Sequence, residues 1–309
     1  MSDIEITNED RVIRGLLMEG AVNMTAISGR GVVEAARQAH GLSHVCTAAL
    51  GRLLMQTSMM SVQLKNASDN LTVIFDGDGP AGRLVAVGHE GGRVKGYVDR
   101  PDVELPLKPN GKLDVSGAVG KTGELRVVRD LSLKEPYVGR CAITDGEIAN
   151  DFANYFVVSE QQPSLVYLGV RVDPASGEVR AASGLMLQPL PFCPERDIVL
   201  LEQKAQEIPR LTRMIEEGES LESALIELLG ELHPEFTEKL TPEFSCDCSR
   251  EKIEAALISM GREELNDIIE KDGRAELVCR FCDKKYEFTG EELRRLLAEA
   301  EARVTEDAE

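Results

Sequence analysis

Hydrophobic and polar positions alternate from Ile4 to Leu17, which predicts an opening strand. The period changes after Ser43. Cys46, Ala49, Leu50, Leu53, Leu54, Thr57 and Met60 recur at three- and four-residue intervals, so they lie on adjoining faces of a long helix. Ser43 can cap that helix, which is expected to run to about Leu64. Short apolar runs follow at Leu71–Phe75, Arg83–Val87, Arg93–Val98 and Leu125–Val128. The first three are separated by the turn-rich DGDGPAG at 76–82 and HEGG at 89–92, as strands would be. A helix is expected over Glu147–Ser159. Leu165–Val172 and Glu178–Gln188 read as a hairpin closed by the DPASG loop at 173–177.

The pattern breaks at QPLPFCP, residues 188–194, where three prolines mark a domain boundary. Between Glu195 and Leu232 there are 10 acidic and 4 basic residues and no strand signal. Ile198, Leu201, Ala205 and Ile208 start a helical spacing that Pro209 and Gly218 interrupt, giving two or three short amphipathic helices. Isolated helices below about 12–15 residues are marginal in water, so this segment depends on its neighbours. Beyond Pro234 and Pro242, Ser249 can cap a helix carrying Ile253, Leu257 and Met260, and a second helix spans Arg262–Lys271. Glu276–Val278 and Lys285–Phe288 read as short strands. Thr289 and Glu292 have capping-box spacing before a helix over Leu293–Ala302. The expected architecture is α+β: a mixed sheet-and-helix core domain over 1–190, a metastable helical linker over 191–240 and a small cysteine module over 241–309.

Composition narrows the function. Of 309 residues, 42% are apolar, enough for a sizeable core, and the net charge of −19 repels phosphate backbones. Aromatic residues make up only 4% and Trp is absent, which leaves little for stacking bases. Nucleic acid is therefore a poor partner, whereas the acidity suits a protein that must stay soluble beside sticky chains. No run of 18 or more apolar residues signals a membrane span, and the polar N-terminus has no leader-like apolar core. Seven cysteines, unevenly placed, do not make a secreted disulfide framework, so a reducing cytoplasm is expected.

Four of those cysteines carry the chemistry. Cys246 and Cys248 stand one residue apart, and Cys279 and Cys282 two apart, with thirty residues between the pairs. Two closely spaced pairs in a short module are a zinc signature, because zinc takes four tetrahedral ligands and thiolates satisfy it. No histidine lies within the module, so all four ligands of the one ion should be sulfur. With no donor set that leaves a place for water, the site does not read as hydrolytic. It can be a purely structural zinc ribbon or a redox switch, since metal-held thiolates are the oxidisable form of cysteine. Structural zinc supplies about 10–16 kcal/mol of apparent folding energy in small peptides. Loss of the ion should therefore unfold the module and loosen the marginal helices before it.

At these residues the sequence resembles the redox-regulated 33-kilodalton heat-shock chaperone family. FSCDCSREKI at 244–253, LISMGREELNDIIEKDG at 257–273 and ELVCRFCDKKYEF at 276–288 match its zinc module. GPAG at 79–82, VKGYV at 94–98, GELRVVRD at 123–130 and GEIANDFANYFVVSEQQPS at 146–164 extend the likeness over nearly the whole chain. It departs at Ala182–Leu185, where the family tends to have a second glycine before Gly184. The resemblance implies a non-enzymatic, ATP-independent holdase whose partners are unfolding client proteins. It further implies that oxidation forms the disulfides Cys246–Cys248 and Cys279–Cys282, releases zinc, unfolds module and linker, and favours a homodimer.

Other candidates are weaker. Gly120-Lys121-Thr122 looks like the end of a phosphate-binding loop, but the motif needs a glycine where Val115 stands, so a turn is expected. Cys46, Cys141 and Cys193 are isolated and read as buried or incidental thiols, Cys193 being the one to test for secondary oxidation. His40, His44 and His89 have no partner pattern. Two rival functions remain open: a thiol oxidoreductase working through Cys279 and Cys282, and a zinc-ribbon nucleic-acid binder. The first expects a helix N-terminus at the pair, where a strand is read instead. The second needs a basic patch, whereas residues 232–309 hold 21 acidic against 12 basic residues.

Overall fold

The computed structural model describes residues 9–306, with side chains described to residue 298. In chain order it forms β1 (Arg11–Leu17), β2 (Val22–Ser28), α1 (Arg30–His40), α2 (His44–Ser61), β3 (Asn70–Gly77), β4 (Leu84–His89), β5 (Val94–Val98), α3 (Val115–Val119), β6 (Gly123–Asp130) and β7 (Tyr137–Ala142). Then come α4 (Ala149–Glu160), β8 (Leu165–Val172), β9 (Val179–Pro189), α5 (Glu195–Lys204), α6 (Leu211–Glu216), α7 (Leu221–Leu229) and β10 (Glu235–Leu240). Last are α8 (Arg250–Ser259), α9 (Arg262–Lys271), β11 (Arg274–Val278), β12 (Lys285–Thr289) and α10 (Gly290–Glu306). The α+β expectation holds. Of the expected opening strand, residues 4–8 lie outside the described residues and 11–17 are β1. The chain separates into two compact units, Met1–Ser245 and Cys246–Glu309.

The first unit is built on two five-stranded antiparallel sheets, ordered β10-β1-β2-β9-β8 and β5-β4-β3-β6-β7. Helix α2 is the centre of its core. Ser43 caps it as expected, accepting from the Cys46 N–H at 3.2 Å, and nearly every residue from Val45 to Ser61 is buried. It ends at Ser61 rather than Leu64. A helix buried all round needs partners on all sides, and α2 shares one apolar cluster with both sheets, including Ile27, Met186, Val73 and Phe75. Gly88 lets it approach closely, because a Cβ there would stand 2.7 Å from the Ser61 Cβ.

Strand alternation gives the first sheet a second buried face. Val12 and Ile27 point to the α2 side, whereas Ile13, Met24, Ala26, Leu185 and Leu187 point away. Residues 195–232 cover that other face: Leu201 of α5, Leu211 and Ile215 of α6, and Leu225 and Leu228 of α7 complete a second cluster. The three short helices thus gain the packing partners that their length requires. Ser183, directly before Gly184, is wholly buried here, and its hydroxyl stands 2.7 Å from that of Thr212. The Tyr167 hydroxyl is also 2.7 Å from Thr212 and donates to the Pro209 carbonyl. After α7 the chain forms β10, an exposed strand on the edge of the same sheet, then bonds Val94 through Glu243 and Ser245.

The second unit is a β11–β12 hairpin packed with α8, α9 and α10 around a small core of Leu257, Leu265, Tyr286, Phe288, Leu293 and Leu296. Helices α8 and α9 start where the sequence predicts, whereas α10 starts at Gly290, three residues before the expected Leu293. Ser249 caps α8 through the Lys252 N–H, and Thr289 and Glu292 exchange hydrogen bonds at the start of α10. Among the described residues no helix is long and apolar enough to cross a membrane.

Candidate metal centre

Local structure aims the two cysteine pairs. Cys246 and Cys248 lie on the extended segment that leads into the Ser249 cap, and Asp247 between them pairs with Lys252 of the first helical turn. Cys279 and Cys282 occupy the turn joining β11 to β12. There the Cys279 carbonyl accepts from the N–H groups of Cys282 at 3.3 Å and Asp283 at 2.8 Å. Asp283 takes a left-handed conformation, φ 55°, to close the turn. Arg250, just after the first loop, ties it to β12 and the start of α10: it donates to the Glu287 carbonyl, pairs with Glu292 at 2.7 Å and lies 4.3 Å from the Phe288 ring centre.

The result is a four-sulfur cluster whose ligand atoms all lie within 4.8 Å of one another. Two contacts run between the pairs, Cys246 to Cys279 at 3.7 Å and Cys248 to Cys282 at 3.5 Å. A tetrahedron with metal–sulfur bonds of about 2.3 Å has edges of about 3.8 Å, so the spacing fits four thiolates around one ion. Among the described residues this is the one cluster of His, Cys, Asp and Glu that could hold a metal ion. All seven cysteines are free thiols.

The sulfurs are not equivalent. Burial works against the Cys248 thiolate, yet the Tyr286 hydroxyl and the neighbouring thiols outweigh it and bring its pKa down to about 7. Burial pushes Cys246 and Cys282 up. Tyr286 is the residue that the motif reading misses: its hydroxyl donates to the Cys248 sulfur at 3.1 Å. The only sequence sign was the alternation of Tyr286 with Phe288, which turns both inward from β12.

The remaining candidates stay outside the site. Gly120-Lys121-Thr122 is a turn, and the Asp78 carboxylate accepts from the Lys121 and Thr122 N–H groups, where a phosphate loop would need room for an anion. Cys46 is fully buried, Cys141 is pushed up to about 11 by burial, and half-buried Cys193 is also raised, mainly by burial. His40 stands 2.9 Å from the Gly96 carbonyl and His44 3.4 Å from Glu104.

Taken together, fold and site define a two-unit α+β protein whose distinctive chemistry is a metal-competent cluster of four thiols. The chain belongs to the Hsp33 family: the model of the Hsp33 protein matches residues 10–289. A 33 kDa chaperonin of Clostridioides difficile is 44% identical over 290 residues, 94% of this chain and 99% of that protein. One of Enterococcus faecalis is 42% identical over 292 residues, 94% and 97% of the two chains. The crystal structure of a 33 kDa chaperonin, a heat shock protein 33 homolog from Thermotoga maritima, superposes with a TM-score of 0.85 at 38% identity. It covers 94% of this chain and 98% of that one. The relatives are named as chaperonins, and the family is not one of enzymes.

Proposed function

We propose that this protein is a redox-regulated, ATP-independent holdase, held inactive in the reducing cytoplasm while Cys246, Cys248, Cys279 and Cys282 bind one zinc ion. The observation that carries this reading is the convergence of four free thiols, at tetrahedral spacing, in a unit with a very small core. When bound, zinc supplies a cross-link between the two loops and keeps the sulfurs as thiolates. Oxidation to the disulfides Cys246–Cys248 and Cys279–Cys282 removes two electrons per pair and withdraws all four donors. The Cys246–Cys248 ring is very tight, and strained disulfides are the labile, regulatory kind.

The layering of the first unit supports a client surface on its first sheet. Unfolding of the module frees the chain that leads back through β10 to α5–α7. Release of those helices bares Ile13, Leu17, Met24, Leu185 and Leu187, a face apolar enough to hold an unfolded chain. The oxidised, linker-free form is expected to dimerise through newly exposed surface. A thiol oxidoreductase is disfavoured because Cys279 and Cys282 sit in a hairpin turn and not at a helix N-terminus. Nucleic-acid and membrane partners are disfavoured by the −19 charge and the acidic module.

The test follows zinc release with a chromophoric chelator during peroxide treatment while light scattering tracks aggregation of a denatured client. The expected result is one zinc per reduced chain, released on oxidation in step with the onset of aggregation suppression. Suppression that is the same before and after oxidation would refute the switch.

A further inference from the structure

Three of the clustered sulfurs face a hydrogen-bond donor. The backbone N–H of Cys248 serves Cys246 and that of Lys284 serves Cys282, whereas Cys248 receives the side-chain hydroxyl of Tyr286. Only this last bond can be removed by substitution without touching the backbone. Tyr286 is 5% exposed, lies on β12 opposite Leu277, and its hydroxyl stands 3.1 Å from the sulfur. The Lys284 ammonium lies 5.2 Å from the centre of the ring. A positive charge beside a phenol favours the phenolate over the phenol, which makes the hydroxyl a better donor.

A hydrogen bond to a thiolate draws electron density from the lone pair that attacks oxidants, and groups around a metal site both orient its ligands and tune their reactivity. We propose that Tyr286 is a positioning residue that sets the oxidation threshold of the module: its hydroxyl, bonded to the Cys248 sulfur, slows attack of that thiolate on hydroperoxides. The proposal rests on the redox reading above and adds to it the residue that governs its rate. In the step concerned, the Cys248 thiolate attacks one oxygen of a hydroperoxide. The O–O bond breaks, the departing alkoxide or hydroxide takes a proton, and Cys248 is left as a sulfenic acid. A neighbouring cysteine thiolate then attacks that sulfur, the S–O bond breaks, and the hydroxide takes a second proton as the disulfide forms. Two thiolates lose two electrons and one hydroperoxide gains them. Without the Tyr286 hydroxyl, the first attack is faster.

The test uses the full-length, zinc-loaded chain and hydrogen peroxide. Zinc release is timed with a chromophoric chelator, with and without peroxide, in the parent, in Tyr286→Phe and in Phe288→Leu, a core change that leaves the hydroxyl in place. For Tyr286→Phe the peroxide-dependent rate should rise by up to about tenfold, with a much smaller rise in chelator alone. Trapping of sulfenic acid should move toward Cys248. Phe288→Leu should speed both rates alike. Site-specific 3-fluorotyrosine at position 286, a stronger donor in an intact ring, should slow peroxide-dependent release, and it decides the matter should the phenylalanine variant fail to hold zinc. Equal peroxide-dependent rates in parent and Tyr286→Phe, a rise matched in chelator alone, or no slowing by the fluorinated ring would overturn the role of Tyr286 and leave the switch intact. A parent that keeps its zinc in peroxide overturns both.

Discussion

The Glu34 carboxylate on α1 accepts from Arg37 at 2.6 and 2.9 Å, from Gln38 at 2.8 Å and from the Val179 N–H at 2.9 Å. Arg30 returns a bond to the Val179 carbonyl at 2.8 Å, so α1 is stitched to the first residue of β9. Burial alone would raise the pKa of Glu34, but these donors outweigh it and hold it at about 2, against an ordinary 4.5. A folded pKa below the unfolded one contributes stability that is complete above the unfolded value and lost as pH falls toward the folded value. Glu34→Gln should therefore cost about 1–2 kcal/mol near neutrality in urea unfolding. The gap to the parent should close between pH 4.5 and 2, the window set by that shift. A pH-independent gap would mean that the charge contributes nothing. At this scale the four cysteines are legible because each pair is local in sequence. The carboxylate of Asp10 is not: it caps α1 by accepting from the N–H groups of Gly31 and Val32, 21 and 22 residues downstream of it.

Among elements, α6 docks on the first sheet through a polar contact set inside an apolar face. Thr212 lies 3% exposed between Tyr167 of β8 and Ser183 of β9, and a Cβ at Gly169 would fall on its hydroxyl. Ser183 lies in the stretch Ala182–Leu185 that departs from the resemblance, and its hydroxyl helps to hold α6 on the sheet. Thr212→Val keeps the shape and leaves buried hydroxyls short of a partner, at a cost of about 1–3 kcal/mol. Hydrogen exchange should show α6 losing protection while α2 keeps it, and less peroxide should be needed for client binding. Unchanged α6 protection would remove the contact from any part in the linker's stability. The short helices themselves are legible from apolar spacing, whereas what they cover is not, since sheet pairing is non-local. Five other elements are hidden too, among them β7, exposed at four of its six positions, and α3, only five residues long. Strand β2 is buried on both faces and shows no alternation, and β10 is exposed and held by its ladder to β1. Helix α1 starts at a glycine without a side-chain cap of its own.

For the molecule as a whole, the two compact units differ in how much core each can bury. The first buries two large clusters around α2 and beneath α5–α7, ample for a domain of its length. The second, Cys246–Glu309, has seven buried residues in its described core, and one of them, Cys279, belongs to the sulfur cluster itself. On the zinc reading proposed above, about 10–16 kcal/mol from a tetrathiolate site would match or exceed the whole stability of most small domains, so the metal and not the core would decide whether the module folds. Stripping zinc under reducing conditions should therefore abolish amide protection in β11, β12 and α8, with β2, β9 and α2 remaining protected. Restoring zinc should recover the protection without any oxidant or reductant, because no covalent bond has changed. Cys282→Ser should reproduce the stripped state in the presence of zinc, by removing one of four donors. Retained protection of β11 and β12 in the zinc-free chain would mean that the module folds on its core alone, and a switch that works by ejecting the metal would then have nothing to unfold.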